Sequence, residues 1–303
     1  MQRIKEIAIL GAGALGAAYA SLFLEAGNFS VSFIARGERY ERLKKQPIVV
    51  NGISYSVPVI HPNEVTHTAD FILVALKQHH LAEAIPDLAA FVGEKTVILS
   101  VLNGLDSENM IGARYGMEKL LYAVAVGIDA VRDQGQVTYS TVGKIIFGEA
   151  NNQELSLRVQ MVQSVLDQAG IAYETPVDML KMMWWKFMVN VGVNQASAVM
   201  HAPYGVFQSN PDAQALMVSL MREVIVLSDY AGVDLGETAV SDWFTVLNTL
   251  SPEGKTSMLQ DVEAGRKTEV DIFAGKVVAL GETYGVPTPI NRTMLQIIRV
   301  LEQ

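Results

Sequence analysis

A short apolar run, Ile7-Ala8-Ile9-Leu10, passes into Gly11-Ala12-Gly13-Ala14-Leu15-Gly16 and then into helix-forming residues, Ala17, Ala18, Ala20 and Leu22. A strand that ends in G-x-G-x-x-G and continues as a helix has few ways to fold. Gly11 permits a tight turn, Gly13 lets the backbone approach a ligand, and Gly16 lets the helix pack closely on the strand. The start of such a helix also carries unpaired N–H groups and a partial positive charge. This is the layout of a βα unit that holds a dinucleotide pyrophosphate. The competing reading is a Gly/Ala-rich turn kept for close packing.

The rest of the first half keeps the alternation that such a unit implies. Strands are expected at Glu6–Leu10, Val31–Ala35, Phe71–Leu76 and Thr96–Val101, separated by helical or mixed stretches. Alternating strands and helices form a parallel sheet covered on both faces, and a continuous apolar run such as Phe71–Leu76 suits a strand buried on both sides. Leu120–Ile128, Gly135–Ser140 and Lys144–Phe147 are expected to extend the sheet, at least partly antiparallel. A helix at about 153–168 and a short strand at Ile171–Glu174 follow.

From Pro176 the texture changes. Helix-period stretches run through Val177–Val199, Pro211–Ala231, Glu237–Leu250, Ser257–Ala264, Thr268–Tyr284 and Pro289–Leu301. The expected architecture is an α/β Rossmann-type domain, residues 1–175, and an all-α domain, residues 176–303. The cleft between them is the expected place for a substrate and the active site.

At 303 residues with half of them apolar, the chain can bury a large core in two domains. Charged and turn residues interrupt every apolar run, so no membrane span is expected. The first residues enter a strand at once, so no signal peptide is expected either. The chain has no cysteine, which excludes disulfides and thiolate chemistry and fits a cytoplasmic protein. A formal charge of −9 argues against nucleic acid as a partner. The histidines show no metal-ligand spacing, so no metal is expected; His79-His80 reads as a pair at a strand-to-helix turn.

Three strand ends bear on the nucleotide. No carboxylate follows the second strand; Arg36 and Gly37 do. An acidic residue there would bond a ribose 2′-hydroxyl, whereas a guanidinium can pair with a 2′-phosphate. Arg36 therefore reads as a selector for NADP over NAD, against a plain surface arginine. Arg39, Arg42, Lys44 and Lys45 add positive potential, each alone reading as part of a solvated helix face. Lys77 ends the third strand and Asn103 follows the fourth. Each is either a cofactor contact or, respectively, a solvated loop lysine and an Asn-Gly turn.

In the helical half, Lys186, Asn190 and Asn194 lie four apart, forming one narrow polar stripe between Trp184, Trp185, Phe187, Met188 and Val189. The stripe reads as polar groups aimed into a cleft, against a surface stripe. A charged lysine there, with an ordinary pKa of about 10.4, could give a proton to a carbonyl oxygen as hydride arrives. The carboxamides could orient a polar substrate and stabilise the developing alkoxide. Ser257 and Glu269 would point about 120° apart on one continuous helix. The Ala264–Lys267 stop signal and a capping box of Thr268 with Asp271 suggest a break that lets both face one pocket. Two capped surface helices are the bland alternative.

These motifs, in this order and at about these spacings, resemble the ketopantoate reductases: G-x-G-A-L-G, Val74-Ala75-Leu76-Lys77, Leu102-Asn103-Gly104, K-x-x-x-N-x-x-x-N, and Ser257–Asp261 with Thr268–Asp271. The resemblance runs nearly end to end. It implies NADPH-dependent reduction of 2-dehydropantoate to (R)-pantoate, on the route to pantothenate and coenzyme A. It makes Lys186 the proton donor and places Asn190, Asn194 and Ser257 on the substrate. Gly11, Ala12, Gly13, Ala14, Leu15, Gly16, Arg36, Lys77 and Asn103 would line the cofactor. Glu269 would lie near the nicotinamide ribose and Lys186, where its charge would help keep the lysine protonated. Two departures fall where the substrate would be read: Tyr204 stands where some members have an asparagine, and Ala123–Asp129 stands where many have a Thr-rich segment with a histidine. The alternatives are a same-fold reductase of another branched 2-oxo acid and a non-catalytic NADP(H)-binding regulator. The expected partner is a small 2-oxo acid, and the apolar helical domain is compatible with a homodimer.

Overall fold

The computed structural model describes residues 3–303, which divide into two compact units, one ending at Met179 and the other beginning at Leu180. In the first, β1 (Glu6–Leu10), α1 (Ala14–Glu25), β2 (Ser30–Ile34) and α2 (Gly37–Lys45) follow in order. Then come β3 (Ile48–Val50), β4 (Ile53–Tyr55), β5 (Val59–Ile60), β6 (Ala69–Val74), α3 (Leu81–Ala84), β7 (Val92–Ser100) and α4 (Ser107–Tyr115). The unit closes with β8 (Leu120–Ile128), β9 (Val131–Asp133), β10 (Gln136–Thr138), β11 (Val142–Gly148), α5 (Leu157–Gln168) and β12 (Ala172–Glu174).

An eight-stranded sheet runs β12-β11-β8-β7-β6-β1-β2-β5. All its neighbours are parallel except β11, which runs antiparallel to β8. Its period-2 geometry divides each strand between two cores. Ile7, Ile9, Phe71, Leu73 and Leu99 pack with residues of α1 and α5. Ala8, Leu10, Ile72, Val74 and Ile98 pack with Leu81 of α3 and Ile111 of α4. Helices thus cover both faces, as a parallel sheet requires.

One expectation is corrected. The Gly135–Ser140 segment does not extend this sheet. Its β10 belongs to a separate four-stranded sheet, β4-β3-β10-β9, beside α1. The β3–β4 hairpin turns on Asn51 and Gly52, with φ of 49° and 80°, the left-handed pair of a tight two-residue turn. Val50 and Val137 share a core with Tyr19 of α1, so these short strands gain stability by packing where an isolated hairpin would not.

The units divide after Met179 rather than at residue 175 because hydrogen bonds tie the intervening loop to the first unit. Asn152 Nδ2 donates to Pro176 O at 2.8 Å, and Met179 N donates to Ala150 O at 3.1 Å.

The second unit is helical. It contains α6 (Met179–Val189) from its second residue on, then α7 (Gln195–Met200), α8 (Tyr204–Ser209), α9 (Pro211–Tyr230), α10 (Ala239–Leu247), α11 (Ser257–Glu263), α12 (Ala274–Tyr284) and α13 (Pro289–Leu301). Asn210 caps α9 by accepting from Asp212 N and Ala213 N, with Pro211 at the first helical position. On α13, Asn291, Met294, Leu295 and Ile298 form one buried face at helical spacing. The expected helix Val177–Val199 is not uniform: a π turn, Asn190–Asn194, separates α6 from α7. The expected helix Thr268–Tyr284 begins only at Ala274, after a 3₁₀ turn at Val270–Ile272. No helix among the described residues is long and apolar enough to cross a membrane.

Candidate active site

In the first unit, the glycine-rich turn, Arg36, Lys77 and Asn103 follow β1, β2, β6 and β7, four neighbouring parallel strands, and so gather at one edge of the sheet. From β1 the chain crosses to β2 on one side, and after β5 it returns to β6 on the other; such a switch point is where open sheets of this kind bind ligands. Gly11 has φ of 116°, and a Cβ there would lie 2.4 Å from Ala75 O; one on Gly16 would lie 1.8 Å from Gly11 O. Internal sterics therefore demand both glycines.

Gly13 differs. Its φ of −76° suits any residue, and a Cβ would meet nothing within 4 Å. The space it leaves faces no neighbour in the protein. No side chain caps α1, and no acidic residue stands in its first turn. Uncapped donors and a clear approach suit an anion, so these residues fit a dinucleotide's phosphates.

At the tip of β2, two carboxylates from further along the chain meet Arg36. Arg36 Nε bonds Asp87 at 3.0 Å, and its Nη2 donates to both the backbone and side-chain oxygens of Glu83, at 3.1 and 3.2 Å. Burial pushes the Asp87 carboxyl above its ordinary pKa, and Arg36 pulls against that rise. A cavity of about 140 Å³ opens here, lined among others by Gly11, Ala35, Arg36, Arg39, His80 and Asp87.

In the second unit, Lys186 lies in the last turn of α6, half-buried, with no ion-pair partner among the described residues. Burial lowers its pKa to about 8, and no neighbouring charge offsets that effect. This corrects the expectation of an ordinary lysine kept charged by Glu269. Asn190 and Asn194 are buried at the two ends of the π turn. In an α-helix each four-residue step drifts by about 40°, which would splay a long stripe. The wider π turn rotates each residue less and offsets that drift over its second step.

Sequence reasoning missed what holds this turn. Gly192 admits α9: a Cβ there would lie 2.6 Å from Met221 side-chain atoms and 3.1 Å from Met217 O. Gln195, fully buried, donates from Nε2 to Val191 O at 2.7 Å and to Asn291 Oδ1 at 3.1 Å, and its Oε1 accepts from Ala274 N at 3.1 Å. Glu223 completes the network, accepting from Asn291 Nδ2 at 2.7 Å. The available signal was a glutamine inside an otherwise apolar run, one residue off the stripe.

The expected break between Ser257 and Glu269 is present, with Ala264 closing α11 and Gly265 at φ of 61°. Thr256 caps α11, accepting from Leu259 N at 3.1 Å, and donates to Ser197 of α7 at 3.1 Å. Ser257 is the exposed first residue of α11, and Glu269 is buried before the 3₁₀ turn. The proposed Thr268–Asp271 capping box does not form. Thr268 instead bonds Glu302, while Asp271 pairs with Arg299 at 2.7 Å.

At the two departures, Tyr204 packs its ring on Gly254, and burial raises its phenol pKa. Asp129 Oδ1 accepts from Ser140 N and Thr141 N at 2.9 Å each, fastening the β8–β11 connection.

Comparison with known proteins covers both units. The family described as Ketopantoate reductase PanE/ApbA matches residues 7–152, and Ketopantoate reductase PanE/ApbA C terminal matches residues 178–302. A 2-dehydropantoate 2-reductase of Archaeoglobus fulgidus is 29% identical over 303 residues, covering 99% of each chain. The solved D-mandelate dehydrogenase with NADH and anilino(oxo)acetate is similar at a TM-score of 0.87 and 20% identity, covering 98% of each chain. A dimeric ketopantoate reductase from Staphylococcus aureus is similar at a TM-score of 0.82 and 21% identity, covering 98% of this chain and 99% of its own. At such identities the two structures speak for the fold.

Proposed function

Because this chain belongs to the ketopantoate reductase family, we propose that it catalyses the NADPH-dependent reduction of 2-dehydropantoate to (R)-pantoate, in pantothenate and coenzyme A biosynthesis. Lys186 carries the reading. A half-buried lysine with no ion-pair partner among the described residues and a pKa of about 8 holds a proton at neutral pH and releases it readily.

Bound NADPH supplies the hydride. Lys186 Nζ gives its proton to the ketone oxygen as negative charge develops there, and is recharged from water afterwards. Asn190 and Asn194, held by the π turn, orient the substrate and donate to the forming alkoxide. Ser257 holds the substrate carboxylate. Gly11 to Gly16, Lys77 and Asn103 would hold the cofactor, Arg36 would serve its adenosine ribose, and Glu269 would serve its nicotinamide ribose. This reading places the protein in the cytoplasm, and the dimeric relative supports a homodimer.

A second reading, reduction of a different branched or bulkier 2-oxo acid, is favoured by one observation: an aromatic ring at Tyr204, where some members of the family have an asparagine. Loss of NADPH absorbance, followed with ketopantoate and with a panel of other 2-oxo acids, separates the two. Ketopantoate turned over well above the rest is the expected result. Equal, feeble rates on every acid would sink the pantoate assignment.

A further inference from the structure

Recognition of a 2′-phosphate needs a cation that is not already neutralised. Arg36 stands at the expected place, but two carboxylates occupy its guanidinium, with Asp87 at 3.0 Å and Glu83 at 3.2 Å. The three side chains together carry a formal charge of −1, which repels a phosphate.

Arg39 lies one turn further along α2 and lines the same cavity as Gly11 and Arg36. It is partly buried and has no carboxylate partner among the described residues. Burial, together with the nearby guanidinium groups of Arg42 and Arg132, holds its pKa below the ordinary value. Arg132 reaches across from β9 and donates from Nη1 to Ala12 O in the glycine-rich turn. Three cations therefore cluster beside the phosphate-binding turn. Like charges at such spacing repel, and a bound anion relieves that repulsion.

We infer that Arg39, backed by Arg132, takes the 2′-phosphate of the dinucleotide, while Asp87 and Glu83 hold Arg36 as a positioning group at the ribose. The inference rests on the functional reading above, since it presumes that the turn binds a dinucleotide. Arg39 offers a planar fork that can bond two phosphate oxygens at once. NADH lacks that phosphate and would leave Arg39 unengaged.

The test is binding in the absence of any 2-oxo acid. Isothermal titration calorimetry gives dissociation constants for NADPH and NADH on the wild-type chain and on Arg39→Gln, Arg39→Lys and Arg36→Gln variants. Arg39→Gln is expected to weaken NADPH by about ten- to hundredfold and leave NADH unchanged, which also shows that the variant is folded. Arg39→Lys should retain part of the affinity, and Arg36→Gln should cost less than Arg39→Gln. Equal losses for NADPH and NADH, no loss for either, or a larger loss in Arg36→Gln would each overturn the assignment. A wild-type chain that binds neither dinucleotide overturns the functional reading and this inference together. Tight wild-type NADPH binding that survives Arg39→Gln removes only the role of Arg39.

Discussion

Gln195 donates from Nε2 to the carbonyl of Val191 at 2.7 Å, within the segment where the helix carrying Lys186 widens into a π turn. A π turn displaces backbone partners, and a buried carbonyl left unpaired costs free energy. Here a side chain supplies a donor and also reaches Asn291 on α13 and Ala274 at the start of α12.

Replacing Gln195 with leucine removes the donor that serves Val191 O and Asn291 Oδ1 and the acceptor that serves Ala274 N. We expect a stability loss of about 2–4 kcal/mol in urea unfolding, from several unmet buried groups. kcat should also fall, because Asn190 and Asn194 lose their relative placement, while NADPH affinity is unchanged. A variant as active as the wild type would show that the π turn stands without this clamp.

Lys186 links activity and stability through one proton. Its folded pKa of about 8 lies below the unfolded value of about 10.4. Between those values the unfolded chain binds more protons, so stability rises with pH across that window. The penalty is complete below pH 8 and gone above the unfolded value. Lys186→Met should therefore be more stable than the wild type at pH 7, by on the order of 1–3 kcal/mol, with the gain vanishing near pH 10. The same substitution should lower kcat by about 10²–10⁴-fold. In the wild type, ketone reduction should decline as pH rises through about 8. A flat rate from pH 6 to about 9.5 would count against Lys186 as the acid.

The three glycines of the turn should separate by mutation. Gly16→Ala forces a Cβ onto Gly11 O and should prevent proper folding of the first unit. Gly13→Ala meets nothing within 4 Å and suits its φ of −76°, so thermal stability should stay within about 1 kcal/mol of the wild type. Its NADPH affinity should nevertheless drop by about tenfold or more, because the methyl group fills the approach kept for phosphate. Unchanged affinity in Gly13→Ala would remove the proposed cradle.

Substitution at Tyr204 separates the two substrate readings. Its ring rests on Gly254, in the loop that leads into α11 and Ser257. Tyr204→Asn should raise kcat/KM for ketopantoate relative to bulkier 2-oxo acids by about tenfold, the effect of one added polar contact and one removed aromatic surface. An unchanged ratio would place Tyr204 outside substrate recognition.

What was legible in the sequence is what contiguous residues decide. The strand–turn–helix of residues 6–25 follows from local propensity, period-2 burial and glycine sterics, all within one short segment. The K-x-x-x-N-x-x-x-N spacing was equally visible, since four-residue steps are local. Gly135–Ser140 was misassigned because a three-residue strand has too few residues to declare its partner. Its pairing with β3 is settled by packing on α1, more than eighty residues away in the chain.

The sequence by itself determined the βα units, the residues that follow the strands at one edge of the sheet and the polar stripe of the helical unit, because each is written in neighbouring residues. Only the tertiary structure decided the electrostatics around them. Asp87 reaches Arg36 across 51 positions and Asn291 meets Gln195 across 96, and no local pattern announces either pair. Burial likewise moved Lys186 from an ordinary lysine to one that titrates at about 8. Charge state and hydrogen-bond supply depend on what the folded chain places within a few ångströms, and spacing along the chain carries no record of that.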